Sequence, residues 1–153
     1  MRYYIFIIVL IGSFQSNAQN IIDLIEIHDA SSIDIKKELL SDLGYYFDGL
    51  TFELNVTVYT FFKETDDSTG DPEFVSIILG EDINCIGMGF DDAKETDFFD
   101  KIEAEALQMG YELVMIDDGD KVYQNKEGWF EAITLIKSAN PMILYGNSTS
   151  FRG

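Results

Sequence analysis

The segment from Thr96 to Asp117, TDFFDKIEAEALQMGYELVMID, changes its apolar period from a helical one to a two-residue one across Gly110. Before the glycine, one helical face is apolar and consists of Phe98, Phe99, Ile102, Ala106 and Met109. Gly110 stands where a left-handed residue ends a helix at least cost. Tyr111 to Asp117 then alternates like a strand. The segment predicts a helix that runs directly into a sheet, with its apolar face packed on that sheet rather than on a cofactor.

A second stretch, IDIKKELLSDLGYYFDG from Ile33 to Gly49, repeats this pattern earlier in the chain. Further matches join Leu43-Gly44-Tyr45 to Met109-Gly110-Tyr111, Val58-Tyr59 to Val122-Tyr123, Phe74, Ile77 and Leu79 to Phe130, Ile133 and Leu135, and Gly89 to Gly146. We therefore predict an α+β fold of two tandem α-β-β-β(-β) repeats, about 31–90 and 96–146. Antiparallel strands would form the sheet, and the helices would pack on one face. Chance agreement between short apolar words is the alternative.

Residues 1–18 have the features of a secretory signal peptide. Arg2 supplies the positive charge, Tyr3 to Ile11 is an unbroken apolar run, and Ala18 ends a small-residue cleavage site. Because a bilayer span needs about twenty apolar residues, an uncleaved anchor is the weaker alternative. We expect residues 19–153 to form a single secreted or periplasmic domain with no membrane anchor after cleavage.

The formal net charge of the chain is −18. Such a charge disfavours nucleic acid and anionic lipid, which are both polyanions. It suits a basic partner or cations, but a solvated acidic surface that needs no partner is the commoner explanation. Cys85 is the only cysteine, so the chain has no internal disulfide, and its apolar neighbours predict a buried thiol.

The chemistry of common enzyme sites is mostly missing from this sequence. His28 is the only histidine, so any nucleophile triad would have to use it. A zinc site of the usual nitrogen and sulfur type is not available, because the sequence has one histidine and one cysteine. We predict no catalytic residue, and a hydrolase that uses paired carboxylates is the alternative. Calcium is the one metal that the acidic runs suit, with Asp117, Asp118 and Asp120 or Asp66, Asp67 and Asp71 as ligands. An acidic hairpin turn explains either run without calcium.

Aromatic side chains give the remaining functional hypothesis. Tyr59 and Phe61 are predicted on the strand face opposite Phe52, Leu54 and Val58, and Tyr45 and Tyr123 would join them. If the four share one open sheet face, that face is a contact surface for a protein partner. The alternative is that a helix covers them.

The signal segment, the helix that ends in Gly-Tyr, the acidic hairpins and the strand K-V-Y-x-N-K that begins at Lys121 resemble small secreted bacterial proteins of uncharacterised function. The plan of repeated helix and sheet is similar to that of the β-lactamase inhibitor protein and of small outer-membrane assembly lipoproteins. The disulfides of the former and the lipid-anchor cysteine of the latter are missing here. The resemblance implies a secreted α+β scaffold and assigns no functional residue. We therefore predict a non-enzymatic protein-binding module, without a cofactor, whose protein partner the sequence does not identify.

Overall fold

The computed structural model describes residues 21–53, 55–64, 72–89, 96–125, 132–136 and 142–148. Three helices lie in these ranges: α1 (Ile21–Asp29), α2 (Ile33–Asp42) and α3 (Thr96–Gln108). The strands are β1 (Tyr46–Glu53), β2 (Val56–Phe62), β3 (Phe74–Leu79), β4 (Ile83–Gly89), β5 (Tyr111–Asp117), β6 (Asp120–Asn125), β7 (Ala132–Ile136) and β8 (Met142–Ser148). None of the helices described is long and apolar enough to cross a membrane. The predicted signal segment, 1–18, lies outside these ranges.

The eight strands form one antiparallel sheet in the order β1-β2-β3-β4-β8-β7-β6-β5. α2 precedes the meander β1 to β4, and α3 precedes the meander β5 to β8. The pairing of β4 with β8 joins the two meanders, and β1 and β5 form the two outer edges of the described sheet. The predicted α+β class, with a helix leading each antiparallel unit, is confirmed.

Both leading helices end in the same glycine-tyrosine turn. Gly44 has φ +90°; its N–H donates to the Ser41 carbonyl at 3.0 Å, and the Tyr45 N–H donates to the Leu40 carbonyl at 2.9 Å. This is the bond pattern of a Schellman motif. Gly110 has φ +86° and likewise donates backward, to the carbonyl of Leu107 at 3.2 Å. The Gly-Tyr pairs noticed in the sequence therefore stop the two helices in equivalent ways.

A β-bulge follows each of these turns at the same distance. The pairing of β1 with β2 skips Asp48, and the pairing of β5 with β6 skips Val114. Each bulged residue comes four positions after the glycine that ends its helix. The two units thus share topology, helix stop and bulge position.

The bulges also correct the residue equivalences drawn from the sequence. Phe47 and Leu113 each precede a bulge, and they pair with Phe61 and Tyr123. Tyr123 is therefore the counterpart of Phe61, not of Tyr59. The sequence alignment of the two units is thus shifted by two residues at this point. The same shift affects the match of Ile77 with Ile133, because the strand pairing makes Leu135 the counterpart of Ile77. Since strand side chains alternate with a period of two, the shift leaves every residue on its correct face. The pairing of β3 with β4 and of β7 with β8 keeps Gly89 equivalent to Gly146, as the sequence match predicted.

One face of the sheet forms the core with the helices. Directly opposed residues share a face, and one buried row crosses five strands from β3 to β6: Ile77, Ile86, Tyr145, Ile133 and Tyr123. Helical side chains cover this row, among them the fully buried Leu24 of α1, Leu40 of α2 and Ile102 of α3.

Three local predictions were wrong. The alternation of residues from Thr51 to Phe62 indicates one strand, but a turn containing Asn55, with φ 66°, divides it into β1 and β2. The apolar spacing of α2 places Ile35 on its inner face, but Ile35 is 43% exposed, whereas Lys36 is only 6% exposed. Met109 lies at the end of the apolar stripe of α3 and is 39% exposed, because the helix has already ended before it.

Helix α1 lies over the junction of the two units. It contacts α2, α3, β4 and β8. At its start, the Ile21 N–H donates to a carboxylate oxygen of Glu105 in α3 at 3.2 Å. At its end, the Lys36 ammonium of α2 donates to the carbonyls of Ile27, at 2.6 Å, and His28. An acid at a helix start and a base at its end both suit the helix dipole. Neighbouring helices therefore cap both ends of α1.

His28 fixes the same helix to the sheet. Its Nδ1 lies 2.8 Å from a carboxylate oxygen of Asp29, and its Nε2 lies 3.1 Å from the backbone carbonyl of Asn84 in β4. Because both partners are acceptors, the ring bonds to both only when each nitrogen carries a proton. The ring also meets the edge of Tyr145, with centroids 5.0 Å apart. These contacts hold the ring between the end of α1 and β4.

We predict that Gly110→Ala lowers the free energy of unfolding by about 1–2 kcal/mol, because φ +86° is strained for a residue with a Cβ. An added Cβ has open space there, so the effect isolates backbone strain. Gly49→Ala is the matched control, since its Cβ also meets nothing within 4 Å and its φ is not positive. Urea denaturation measures both variants, and equal stability would contradict the proposed left-handed stop.

We predict that Lys36→Met lowers the free energy of unfolding by about 1–3 kcal/mol, because two carbonyls at the end of α1 lose their donor. Burial lowers the pKa of Lys36, and the Asp29 carboxylate opposes this shift. Lys101→Met in α3 is the control, since Lys101 makes an exposed ion pair at 3.9 Å that contributes little. Thermal and urea unfolding compare the two. Equal stability would show that Lys36 does not hold α1.

Candidate protein-contact surface

The aromatic residues predicted to form an open face lie in or against the core. Tyr45, Phe61 and Tyr123 are 3%, 1% and 1% exposed. Tyr59 is half-buried, and the Lys37 ammonium lies 5.4 Å from its ring centroid. The alternative, that helices cover this face, is therefore the one that the structure supports. Side chains with this burial are not free to contact a partner.

Pairing also corrects the predicted faces of the first hairpin. Phe52 pairs with Thr57, so it lies on the same face as Tyr59 and Phe61 rather than opposite them. Val58 does point to the other face, as predicted. The error arose because the turn at Asn55 reverses the chain and places Phe52 on a different strand. Leu54 lies outside the described residues.

The hydroxyl groups of two of these tyrosines donate hydrogen bonds within the protein. Tyr45 donates to the Pro72 carbonyl at 2.6 Å. Tyr123 donates to a carboxylate oxygen of Glu103 in α3, and Lys121 donates to both oxygens of that carboxylate at 2.7 and 2.8 Å. Burial, with the adjacent Glu103, raises the pKa of Tyr123 well above its ordinary value. These contacts fix α3 to β6, which is a structural role.

The acidic run proposed for calcium is a two-residue hairpin turn. Asp117 pairs with Asp120, and between them Asp118 and Gly119 have φ 45° and 93°. Positive φ at both central positions is typical of a type I′ turn. The described residues hold no group of three or more His, Cys, Asp or Glu side chains that could bind a metal. The structure thus favours the turn interpretation for Asp117, Asp118 and Asp120. The second acidic run, Asp66, Asp67 and Asp71, lies outside the described residues.

Among the described residues, a groove between α1 and α2 is the feature nearest to the cleft that a carboxylate hydrolase needs. It is open to solvent and is lined by Asp23, Glu26, Ile27, Leu39, Asp42 and Leu43. Glu26 and Asp42 are exposed, and Asp23 is half-buried. Paired-carboxylate catalysis sets one acid in an apolar site and the other in a polar one. All three carboxylates of the groove reach solvent, so none of them lies in an enclosed apolar site.

Edge strand β5 carries the longest unbroken run of exposed apolar side chains among the described residues. Leu113, Val114, Met115 and Ile116 are 43%, 55%, 43% and 62% exposed. Two-residue alternation would place Tyr111, Leu113 and Met115 on one face of the strand, but of these three only Tyr111 is buried. Position explains the difference, since an edge strand has a neighbour on one side only. Four consecutive exposed aliphatic residues make both faces of this strand apolar.

Edge strand β1 also exposes large apolar residues, but most of its aromatic rings pack back on the sheet. The Phe47 ring lies 5.5 Å from that of Phe61 and beneath the Lys37 ammonium, at 4.9 Å. The Tyr46 ring lies 6.0 Å from that of Phe62. Leu50 and Phe52 remain exposed, at 55% and 68%, yet polar residues separate them from the other apolar ones. β1 thus offers a less continuous surface than β5.

Neither edge strand carries Lys or Pro, which often prevent strand addition, although each contains a bulge. Natural edge strands are protected by lysine, proline or bulges. β1 and β5 contain no Lys, Arg or Pro, and their charged residues are all acidic: Asp48, Glu53, Glu112 and Asp117. Each strand has one bulge, on the side of its paired neighbour. The outer side of β5 is therefore a candidate protein-contact surface, which we define as Leu113 to Ile116.

The sequence contained a signal for this surface. In the sequence Tyr-Glu-Leu-Val-Met-Ile-Asp, four consecutive aliphatic residues depart from the alternation of a half-buried strand. The two-residue alternation predicted for Tyr111 to Asp117 does not account for this run. A fully buried strand gives the same pattern, so only the strand order shows that this run is an edge.

Comparisons with known proteins identify no relative. No family model matches the chain, and searches of curated proteins and of solved structures return no significant match. The class of protein is therefore defined by its fold alone. It is an α+β protein with an eight-stranded antiparallel sheet and three described helices.

We predict that Cys85 makes stability depend on alkaline pH. The thiol is buried, as expected, and burial raises its pKa from 9.0 to about 11. The unfolded chain therefore loses this proton at lower pH than the folded chain does. The stabilising contribution is complete below pH 9 and is lost as pH rises toward 11.

Between pH 8 and pH 10, the native chain should lose on the order of 1 kcal/mol more stability than Cys85→Ala loses. Urea denaturation at both pH values measures this difference. The variant is its own control for the other groups, which titrate in both proteins. Equal losses would show that the thiol ionises alike in the folded and unfolded chains.

Proposed function

We propose that this protein is a secreted or periplasmic, non-enzymatic module that binds another protein through edge strand β5. The observation that carries the proposal is the run from Leu113 to Ile116, in which four consecutive aliphatic side chains are 43–62% exposed. Exposed apolar patches with a polar rim are typical of protein-interaction sites. Here Glu112 and Asp117 supply the rim.

The apolar surface of this strand supplies part of the free energy that recognition needs. Complete burial of a Leu, Ile, Val or Met side chain contributes about 1.5–3 kcal/mol. Since these four are about half exposed, a partner that covers them gains roughly 1 kcal/mol from each. The sum of about 4 kcal/mol corresponds to millimolar affinity before backbone hydrogen bonds are added. Hydrogen bonds along the edge, with contacts outside β5, supply the remainder.

Two features of the sequence support the rest of the proposal. The apolar run and cleavage site in residues 1–18 favour export. The net charge of −18 disfavours nucleic acid and anionic membranes as partners. A protein partner remains, and an exposed edge strand is the element that strand addition uses.

A variant of Ile116 tests the proposal. An affinity-tagged chain is expressed in the producing cell and recovered together with the protein bound to it. Ile116→Lys should reduce the recovered partner at least about tenfold, because the contact would bury an ammonium group. Ile22→Lys is the matched control, since Ile22 on α1 and Ile116 are both 62% exposed.

Circular dichroism and unfolding midpoints establish that both variants fold. The proposal expects a partner that Ile22→Lys retains and Ile116→Lys loses. If the two variants recover the same amount of partner, whether or not the native chain recovers that amount too, β5 is rejected as the contact surface.

A further inference from the structure

We propose that the partner supplies an extended segment with an aliphatic centre and basic flanks, and that this segment pairs with β5 as a ninth strand. The inference rests on the proposed function and adds the chemistry of the occupant. Three features carry it: the edge position of β5, the apolar character of both its faces, and the acids at its two ends.

The two faces of β5 fix the centre of the occupant. Leu113 pairs with Tyr123 on the helix side of the sheet, whereas Met115 pairs with Val122 on the other side. Ile116 returns to the helix side because the bulge at Val114 intervenes. A strand added to this edge meets aliphatic side chains above and below the sheet. Consecutive residues at its centre should therefore be aliphatic, and not alternate with polar ones.

The charges of β5 fix the flanks of the occupant. Glu112 and Asp117 bracket the aliphatic run, and Asp118 follows in the turn; all three are exposed. The ends of β5 are thus acidic. Lys or Arg residues on an added strand would lie beside these carboxylates, and each such exposed pair contributes about 0.2–1 kcal/mol.

The same charges disfavour a second copy of this chain as the occupant. Two β5 strands could pair antiparallel with Val114 opposite Met115. That register places Glu112 of each copy opposite Asp117 of the other. Like charges that are directly opposed destabilise a strand pair, and the net charge of −18 on each copy adds repulsion. Edge strand β1 carries Asp48 and Glu53, so pairing of β1 with β5 from another copy would also place acidic residues opposite each other.

Binding of three labelled synthetic peptides to the full chain tests the inference. The first, KKVIVIKK, has the proposed chemistry. The second, EEVIVIEE, keeps the centre and reverses the flanks. The third, KKVPVPKK, keeps the charge but lacks two of the backbone donors that a ladder needs. Fluorescence anisotropy measures affinity, and hydrogen exchange locates the bound strand.

KKVIVIKK should bind at least about tenfold more tightly than either control peptide, since two or more ion pairs and an intact ladder are needed. It should slow amide exchange in β5. Ile116→Lys should weaken this binding, and Ile22→Lys should not. The double variant Glu112→Lys, Asp117→Lys should reverse the preference in favour of EEVIVIEE. Added salt should reduce the preference because the pairs are exposed.

Three results would overturn the inference. Equal binding of KKVIVIKK and KKVPVPKK would show charge attraction without strand pairing. Equal binding of KKVIVIKK and EEVIVIEE, or no binding of either, would refute basic flanks. A concentration-dependent dimer that Ile116→Lys abolishes would make a second copy the occupant.

The test separates this inference from the function on which it rests. If no peptide binds but Ile116→Lys still loses the partner recovered from cells, the function stands and the occupant is not a basic strand. If Ile116→Lys retains that partner, the function itself fails.

Discussion

The burial of α1 against the β4–β8 pair is the interaction on which the rest of the structure depends. That pair is the one strand contact that joins the two meanders of the described sheet. Ile21, Leu24 and Ile27 are almost completely buried there, and His28 binds the Asn84 carbonyl. Helices α2 and α3 each cap one end of α1. The first helix, which belongs to neither unit, therefore helps to unite two helix-led meanders into a single core.

The position of the exposed edges follows from that junction. Each unit is a meander, and the units join through their last strands, so their first strands must lie outermost. The strand that leaves each helix is consequently the strand with a free side. Within the described sheet, β1 pairs only with β2, and β5 pairs only with β6. A candidate contact surface on β5 is thus a consequence of topology, and it does not require a loop or cleft added to the fold.

Local chemistry in the sequence predicted much of this fold. The change of period at Gly110, the Gly-Tyr helix stops and the acidic hairpin turn depend on neighbouring residues, and the structure contains all three. Contacts between distant residues were not predictable in the same way. Lys36 is buried because the end of α1 lies beside it, and the burial of Phe61 and Tyr123 depends on which helices cover the sheet. The edge position of β5 depends on strand order, which no local pattern specifies.

Acidic residues on an exposed edge strand influence whether copies of the chain pair with each other. Lysine is a common protector of edge strands, and it would repel other copies of a basic protein. This chain carries −18, so acidic residues at its edges disfavour pairing with other copies and favour pairing with basic strands. Repulsion between paired acids is small, whereas four half-exposed aliphatic residues offer roughly 4 kcal/mol to any strand that covers them. Charge at the ends of β5 therefore cannot prevent pairing by itself, but it can decide which of two otherwise similar strands is preferred.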